Sequence, residues 1–523
     1  MDNITVIKNF MAENSLEYLL VNSTNEFLVE YNTLEENSRY KLTNFSGSTG
    51  EALITPDTIF LFVDGRYHIQ ADQEVCHEKV TVVKLQTGQK YLDELLKKIP
   101  TNKTLGLFAK KNSQNKIKFL KENRSIKLLN IDPLDTKINI DISQNIELDK
   151  KYTGLTAEEK IAKIAQNLTD DEALYITDPD EVSYLFNMRN FSRNYSSKIK
   201  AKAIIFKDNS ILFTEDKLGE LEEFLGNINK KVYVDENTIN GFDYNLLGEN
   251  AISIETNPVK TMKSQKNDVE INHLKSAFER TDKAVKAIRE YIYNNENISE
   301  FDIANQLEQE FKKQGALGLS FKSIVAKDKN SALAHYSKSS KDEIIKDGSL
   351  VLIDCGAYFE GGLATDITRV FVKGTPTELQ KKIYTTVLKA FLLGFNYAKK
   401  HIQRPLIGFE IDKEVHKFFN SQDLDGFVFN HGLGHGIGIN VHEYPPNLST
   451  NEIAKTPILD GMVFSIEPGL YKNGFFGVRL ENSCYFKDND IHSFVNMNYE
   501  RKLINFEMLT DEELEELANF EVI

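Results

Sequence analysis

Between Asp347 and Asn482 one pattern occurs twice: an Asp-Gly pair, an apolar run, a carboxylate seven positions after the Asp, and a glycine two positions later. It reads DGSLVLIDCG at 347–356 and DGMVFSIEPG at 460–469, so the two carboxylates are Asp354 and Glu467. An apolar run of this kind after an Asp-Gly turn is a buried strand. A carboxylate that ends such a strand costs several kcal/mol, roughly the penalty of burying an unpaired charge. Two of them in matched frames point to one shared positive partner, and a metal ion fits that part.

Each strand leads into a hairpin that supplies a second carboxylate. In the first, 349–354 runs into 357–372 with Gly361 and Gly362 at the turn, which brings Asp366 to Asp354. In the second, 462–467 turns through Lys472-Asn473-Gly474 into 476–482, which brings Glu481 to Glu467. Arg479 stands two positions before Glu481, on the same strand face, as a clamp for a buried carboxylate. Between the hairpins lies HGLGHGIGINVHE, with His431, His435 and His442. One of these histidines is read as a metal ligand. The others, with His335 in the equivalent place of the first half, are read as donors to substrate or oxyanion. The remaining six (His68, His77, His273, His401, His416, His492) lack such a context and read as surface or structural.

Four carboxylates and one imidazole exceed what one ion needs. Two divalent ions about 3.5–4 Å apart fit better. The oxygen-rich set favours Mn2+, with Co2+, Fe2+ or Zn2+ as alternatives.

The rest of the chain bounds the setting. Its 523 residues call for two to four domains. A net charge of −15 argues against a nucleic-acid partner. No apolar run is long enough for a membrane span. The first twenty residues read as an amphipathic helix and not as a signal peptide. Cys76, Cys355 and Cys484 are far apart and odd in number, which points to a reducing, cytoplasmic compartment. Cys355, adjacent to Asp354, should face the opposite side of its strand and sit in the core.

In order, the chain reads as an α/β (α+β) protein. Residues 1–132 form one α/β domain: helix 3–14, strand 18–21, two strands within 47–72, and a helix near 90–98. Within it, Asp64-Gly65-Arg66-Tyr67 reads as a turn with a salt bridge. Residues 133–258 form a second α/β domain, beginning with a polar linker at 133–150. It has helix 156–167, strand 173–177, a hairpin within 197–214, helix 216–226 and strand 232–235. Residues 259–523 carry a duplicated order. Helices 268–292 and 299–314 precede strands 321–326 and 334–336 and the first hairpin. Helices 377–400 and 409–420 precede strand 427–432 and the second. A pseudo-two-fold catalytic domain follows, with its site where the halves meet.

These residues resemble the pita-bread metallopeptidases, the group of methionine aminopeptidase, prolidase and aminopeptidase P. The strings EPGLY and VRLEN carry the resemblance together with HGLGHGIGINVHE. The family's five ligands match Asp354, Asp366, His435, Glu467 and Glu481, and its substrate-facing histidines match His335, His431 and His442. The two Asp ligands stand twelve positions apart here, about one more than is usual in the family, and an extra residue in the Gly361-Gly362 turn would absorb the difference. TNFSGSTGEALIT with FVDGRYHIQAD, DEVSYLFNMRNFSRN and SFKSIVAKDKNSALAHY are similar to the long, three-domain Xaa-Pro aminopeptidases. That resemblance implies two creatinase-like N-terminal domains before the pita-bread domain, and a further helical tail after LTDEELEELANF. It also implies a homodimer that removes the N-terminal residue from peptides with proline in second position. The hydroxide bridging two ions would be the nucleophile and Glu467 the proton shuttle. His335 or His442 would stabilise the oxyanion, and Asp354 would also hold the substrate amine.

A prolidase would use the same ligands but usually carries one such N-terminal domain. Methionine aminopeptidase lacks them, and creatinase-like relatives lose the ligands. A non-catalytic binding module on the same fold would not need all five.

Overall fold

The computed structural model describes residues 2–86, 88–136, 141–400 and 405–520. They form two compact units. One comprises Met1–Asn145, Ala157–Met188 and Ile199–Val259; the other comprises Ile146–Thr156, Arg189–Lys198 and Lys260–Ile523. His401 lies outside the described residues, as does the 137–140 part of the expected linker.

The first unit holds two mixed sheets. The six-stranded sheet runs, edge to edge, Val80–Lys84, Ile59–Val63, Glu51–Ile54, Tyr18–Val21, Thr104–Phe108, Ser125–Leu129. Its centre is the fully buried YLLV run, paired antiparallel to one neighbour and parallel to the other. A strand buried on both faces needs such a continuous apolar run. The five-stranded sheet runs Ser210–Thr214, Ala201–Ile205, Glu172–Ile176, Lys231–Val234, Ala251–Ser253. Asp64 and Arg66 of the sequence-noted turn bond each other twice, at 2.9 and 2.8 Å, so that turn is satisfied locally.

The second unit repeats one plan. Helices Asp268–Asn294 and Glu300–Lys313 are each started by a capping box, Asn267 with Glu270 and Ser299 with Asp302. They precede the antiparallel sheet Ile324–Lys327, Leu350–Cys355, Ile367–Val372. Helices Glu378–Lys400 and Gly408–Asn420 precede the sheet Glu443–Leu448, Gly434–Gly436, Val463–Ile466, Asn482–Lys487, Asp490–Ser493. The ribbon Gly469–Lys472 with Phe476–Arg479 extends the second hairpin. One core cluster, from Leu352 and Val370 through Phe391 to Phe464 and Val478, backs the strands that carry the carboxylates.

Two expected strands are absent from the described structure. Residues 334–336 form a turn after the 3-10 segment Asp328–Ala332, because the Tyr336 N–H bonds to the Leu333 carbonyl and its hydroxyl to Glu300. Within 427–432 only Val428 is paired, with Tyr471. The first stretch is held by those turn bonds, and the second keeps a single bridge. Cys355 is fully buried, as expected.

The glycine that follows each carboxylate by two has a steric cause. A Cβ on Gly356 would lie 1.8 Å from the Thr365 carbonyl oxygen, and one on Gly469 would lie 2.4 Å from the Tyr471 hydroxyl. The first contact is with backbone, which cannot swing aside. Gly356→Ala should therefore cost about 3 kcal/mol of stability, the upper part of the usual overpacking range. Urea unfolding checks this, and a loss below about 1 kcal/mol would show that the strand yields.

Candidate metal centre

The two hairpins and the His-rich stretch converge. In the first hairpin, Asp354 stands opposite Thr368 and Asp366 lies two positions before that residue, so both carboxylates sit at one end of adjacent strands. The tight turn between them is closed by Gly362 N–H to Phe359 O, 2.8 Å. In the second hairpin, Gly469 stands opposite Arg479, and continuing that register brings Glu467 to Glu481. A bridge between Thr368 and Glu481 joins the hairpins, and the Thr368 hydroxyl donates to Glu481 Oε2 at 2.7 Å.

His435 meets this group from the short strand Gly434–Gly436. Its Nε2 lies 3.6 Å from Asp366 Oδ2 and 3.3 Å from Glu467 Oε1. Its Nδ1 lies 3.0 Å from the Gly436 carbonyl, to which it donates, which turns Nε2 toward the carboxylates. Donor atoms of Asp366, His435 and Glu481 all lie within 4.8 Å of one another. Ser465 donates to Glu467 at 3.3 Å and accepts from the His435 N–H at 3.0 Å, coupling these two residues.

Arg369 donates to the Glu481 carbonyl at 2.7 Å, while Arg479 is the guanidinium that bonds a carboxylate side chain of this cluster. It donates to Asp354 Oδ2 at 2.5 Å, to Thr368 Oγ1 at 3.2 Å and to the Tyr471 hydroxyl at 2.7 Å, and its Nε is 3.9 Å from Glu467. Although Arg479 is two positions from Glu481, its direct carboxylate partner comes from the other hairpin. Tyr471 in turn meets His431 Nε2 at 2.8 Å, while His431 Nδ1 meets the Gly432 carbonyl at 2.8 Å. His442 packs edge-on against His435, with ring centroids 4.4 Å apart. His335 lies half-buried in the turn after Asp328–Ala332; Ser331 of that segment accepts the Gly477 N–H at 2.8 Å, next to the strand of Arg479.

The charges do not balance among the protein groups. Burial first, and then the other carboxylates, push Asp366 and Glu481 well above the ordinary carboxylate range. Asp354 is raised too, by burial, against the pull of Arg479. Burial alone would lower His435, but its bond to Glu467 and the nearby acids raise it to about 9, and the same bond outweighs burial to lower Glu467. One proton is thus shared between His435 and Glu467 while three carboxyls resist ionisation. Buried oxygens Asp354 Oδ1, Asp366 Oδ1 and Glu481 Oε1 have no hydrogen-bond partner among the described residues. Three orphaned carboxylate oxygens, two of them on residues whose donor atoms cluster with that of His435, make a donor set for hard to borderline divalent cations.

Comparison with known proteins agrees. Residues 272–488 match metallopeptidase family M24, and residues 4–136 and 139–270 each match a creatinase/prolidase N-terminal domain. The chain thus carries a segment of the metallopeptidase family M24 type at 272–488. Over nearly its whole length it is similar to Xaa-Pro aminopeptidase 1 of Dictyostelium discoideum, at 27% identity over 97% of this chain and 90% of that protein. It is equally similar to an uncharacterized peptidase of Schizosaccharomyces pombe, at 27% identity over 99% and 94% of the two chains. Its fold is that of the X-prolyl aminopeptidase of Caenorhabditis elegans, with a TM-score of 0.86 and 22% identity over 96% of this chain and 92% of that one. The fold is therefore α/β, with two creatinase-type domains before an M24-type domain.

Sequence reasoning had not given roles to Thr368, Tyr471, Ser465 or Asp412. Thr368 could have been found, since it is two positions after Asp366 and shares its strand face. Tyr471 lies within EPGLY but bonds Arg479 only once the ribbon folds back. Asp412, from helix Gly408–Asn420, accepts the Leu433 N–H at 3.0 Å and so ties down the His-rich stretch.

Two predictions follow from these charges. Mn2+ added to chelated protein should raise its Tm by several degrees, and Glu481→Gln should abolish the rise; an equal rise in that variant would exclude Glu481 as a ligand. Burial raises Asp412 to about 7, and its Oδ2 has no partner among the described residues. Folded protein thus holds a proton there that unfolded chain releases near the ordinary value of 3.8, so this residue's contribution falls as pH rises from about 4 to about 7. Asp412→Asn keeps the acceptor for Leu433. It should raise Tm at pH 8 by several degrees and change little at pH 5, and equal shifts at both pH values would refute the assignment.

Proposed function

We propose that this chain is a metal-dependent Xaa-Pro aminopeptidase, releasing the N-terminal residue from peptides with proline in second position. The observation that carries the metal part is the clustering of Asp366, His435 and Glu481 donor atoms together with the orphaned carboxylate oxygens of Asp354, Asp366 and Glu481. The prolyl part is supported by similarity to the Dictyostelium Xaa-Pro aminopeptidase along both chains.

Asp354, Asp366, His435, Glu467 and Glu481 would hold two divalent cations, of which Mn2+ suits the oxygen-rich set best. The C. elegans protein is described as a cytosolic enzyme with a di-nuclear active site, and the same number of ions and a cytoplasmic setting are proposed here. Bound cations supply the charge that lets a water ionise near neutral pH and that polarises the scissile carbonyl.

The chain's own residues do the rest. Glu467, hydrogen-bonded through Ser465 and His435, takes the proton of the attacking water and returns it to the proline nitrogen. His335 and His442 donate to the developing oxyanion. His431 and Tyr471 orient Arg479, whose bond to Asp354 aims that carboxyl beside the substrate amine and opposes the effect of its burial. An Xaa–Pro bond lacks an N–H, so a site shaped to the ring needs no acceptor there. The functional unit is proposed to be a homodimer.

Hydrolysis of Arg-Pro-Pro, Arg-Pro and Met-Ala-Ser by chelated protein resupplied with Mn2+ tests this reading. Cleavage of the tripeptide Arg-Pro-Pro after its first residue, with little on the others, is expected. Preference for the dipeptide would indicate a prolidase, and silence on all three would refute a peptidase. Glu467→Gln should lower kcat by at least about 100-fold, the low end for a lost general acid–base. Unchanged turnover in that variant would remove Glu467 from the proton path.

A further inference from the structure

Residues 436–441 join His435 to His442, so whatever holds this loop sets how the two imidazoles meet. Part of the hold comes from the first half. Ala364 N–H donates to Gly438 O at 2.7 Å, and the Tyr358 hydroxyl donates to Ile439 O at 2.9 Å. The rest comes from lysines. Lys198 Nζ donates to Asn440 Oδ1 at 2.6 Å. Lys263 and Lys266 both donate to Glu443, the neighbour of His442, at 2.6 and 2.5 Å. All three lysines and Glu443 are buried.

These lysines lie within 139–270, the part that matches the second creatinase/prolidase N-terminal domain, and not within the M24 match. Arg189–Lys198 and the residues from Lys260 onward nevertheless belong to the compact unit that carries the candidate site. The same segment reaches the other hairpin. Ser197 Oγ donates to Gly362 O at 2.7 Å and Arg189 Nε to the same oxygen at 3.4 Å, within the turn that precedes Asp366. One short stretch therefore touches the loop before His442 and the turn before Asp366.

The energetics favour placement over stability as its purpose. Desolvating a lysine ammonium is costly, and an apolar replacement of similar shape often stabilises as well. Around Glu443 two lysines serve one carboxylate, which is more charge than neutralisation needs. Burial alone would raise the Glu443 carboxyl, yet the two lysines hold it down at about 2. What such directional bonds supply is a fixed geometry.

We propose that Lys198 is a positioning residue for His442: through Asn440 it fixes the loop between the two histidines, and Lys263 and Lys266 fix the loop's far end through Glu443. The arrangement of the candidate site then depends on residues outside the M24 segment. This inference rests on the reading of His442 as a substrate-facing donor.

The test uses full-length protein with Lys198→Met, which keeps the stem and removes the ammonium, and Lys198→Arg, which restores a cation. In the metal-free protein, Lys198→Met should speed hydrogen exchange at 436–442 with little change in Tm, and Lys198→Arg should largely reverse this. With Mn2+, Lys198→Met should lower kcat on Arg-Pro-Pro about tenfold, a modest share of what misplacement can cost, with KM and Mn2+ stoichiometry preserved. In a His442→Ala background the same substitution should cost nothing further. Wild-type exchange in Lys198→Met, or an equal loss of kcat with and without His442, would overturn the proposal. If the unmutated chain fails to cleave Arg-Pro-Pro, the peptidase reading falls, while the exchange measurement still decides whether Lys198 anchors the loop.

Discussion

Four carboxylates from two hairpins share one buried space with the guanidinium of Arg479. Arg479 satisfies one oxygen of Asp354 and approaches Glu467, and Thr368 satisfies one oxygen of Glu481. The opposite oxygens of Asp354, Asp366 and Glu481 are left without a donor. Protons on these carboxyls would relieve the repulsion only partly, because a buried hydroxyl also needs an acceptor placed for it. Divalent cations relieve it fully. The site is thus a deliberate charge deficit, and the surrounding structure must be rigid enough to keep like charges together until a cation arrives.

The scaffold meets that demand through duplication. Each half sends a buried strand and its hairpin partner to a common meeting place, backed by one apolar core. Gly356 and Gly469 let a neighbouring backbone or hydroxyl come closer than any side chain would permit. The polar bonds that orient the site then cross between the halves: Thr368 to Glu481, Arg479 to Asp354, Tyr358 to Ile439. Neither half alone has a complete set of carboxylates or the partners that aim them.

Around this centre lies a second tier of buried polar groups. Asp412 pins the start of the His-rich stretch through Leu433, and Glu443 with its two lysines pins the end. The stretch from Leu433 to Glu443 is held at both ends and in its middle by different parts of the chain. Such multiply tied loops lose little further freedom on binding, which is how a fold presents preorganised donors to a reacting carbonyl.

The repeated Asp-Gly-strand-carboxylate pattern, the hairpin turns and the three close histidines were local and therefore legible in the sequence. So were the long helices, whose capping residues stand beside them. Strand alternation put Cys355 in the core and Asp354 at the site, because side-chain direction along a strand has period two. Alternation could not show that Arg479 would bond Asp354, since their strands belong to different hairpins and only the packing of the halves joins them. It also could not turn 334–336 away from strand, because the competing partner, Glu300, comes from a distant segment. Lysines 198, 263 and 266 carry no sequence signal that marks them out. Only the tertiary structure buries them against Asn440 and Glu443, where the cost of desolvation makes their bonds matter.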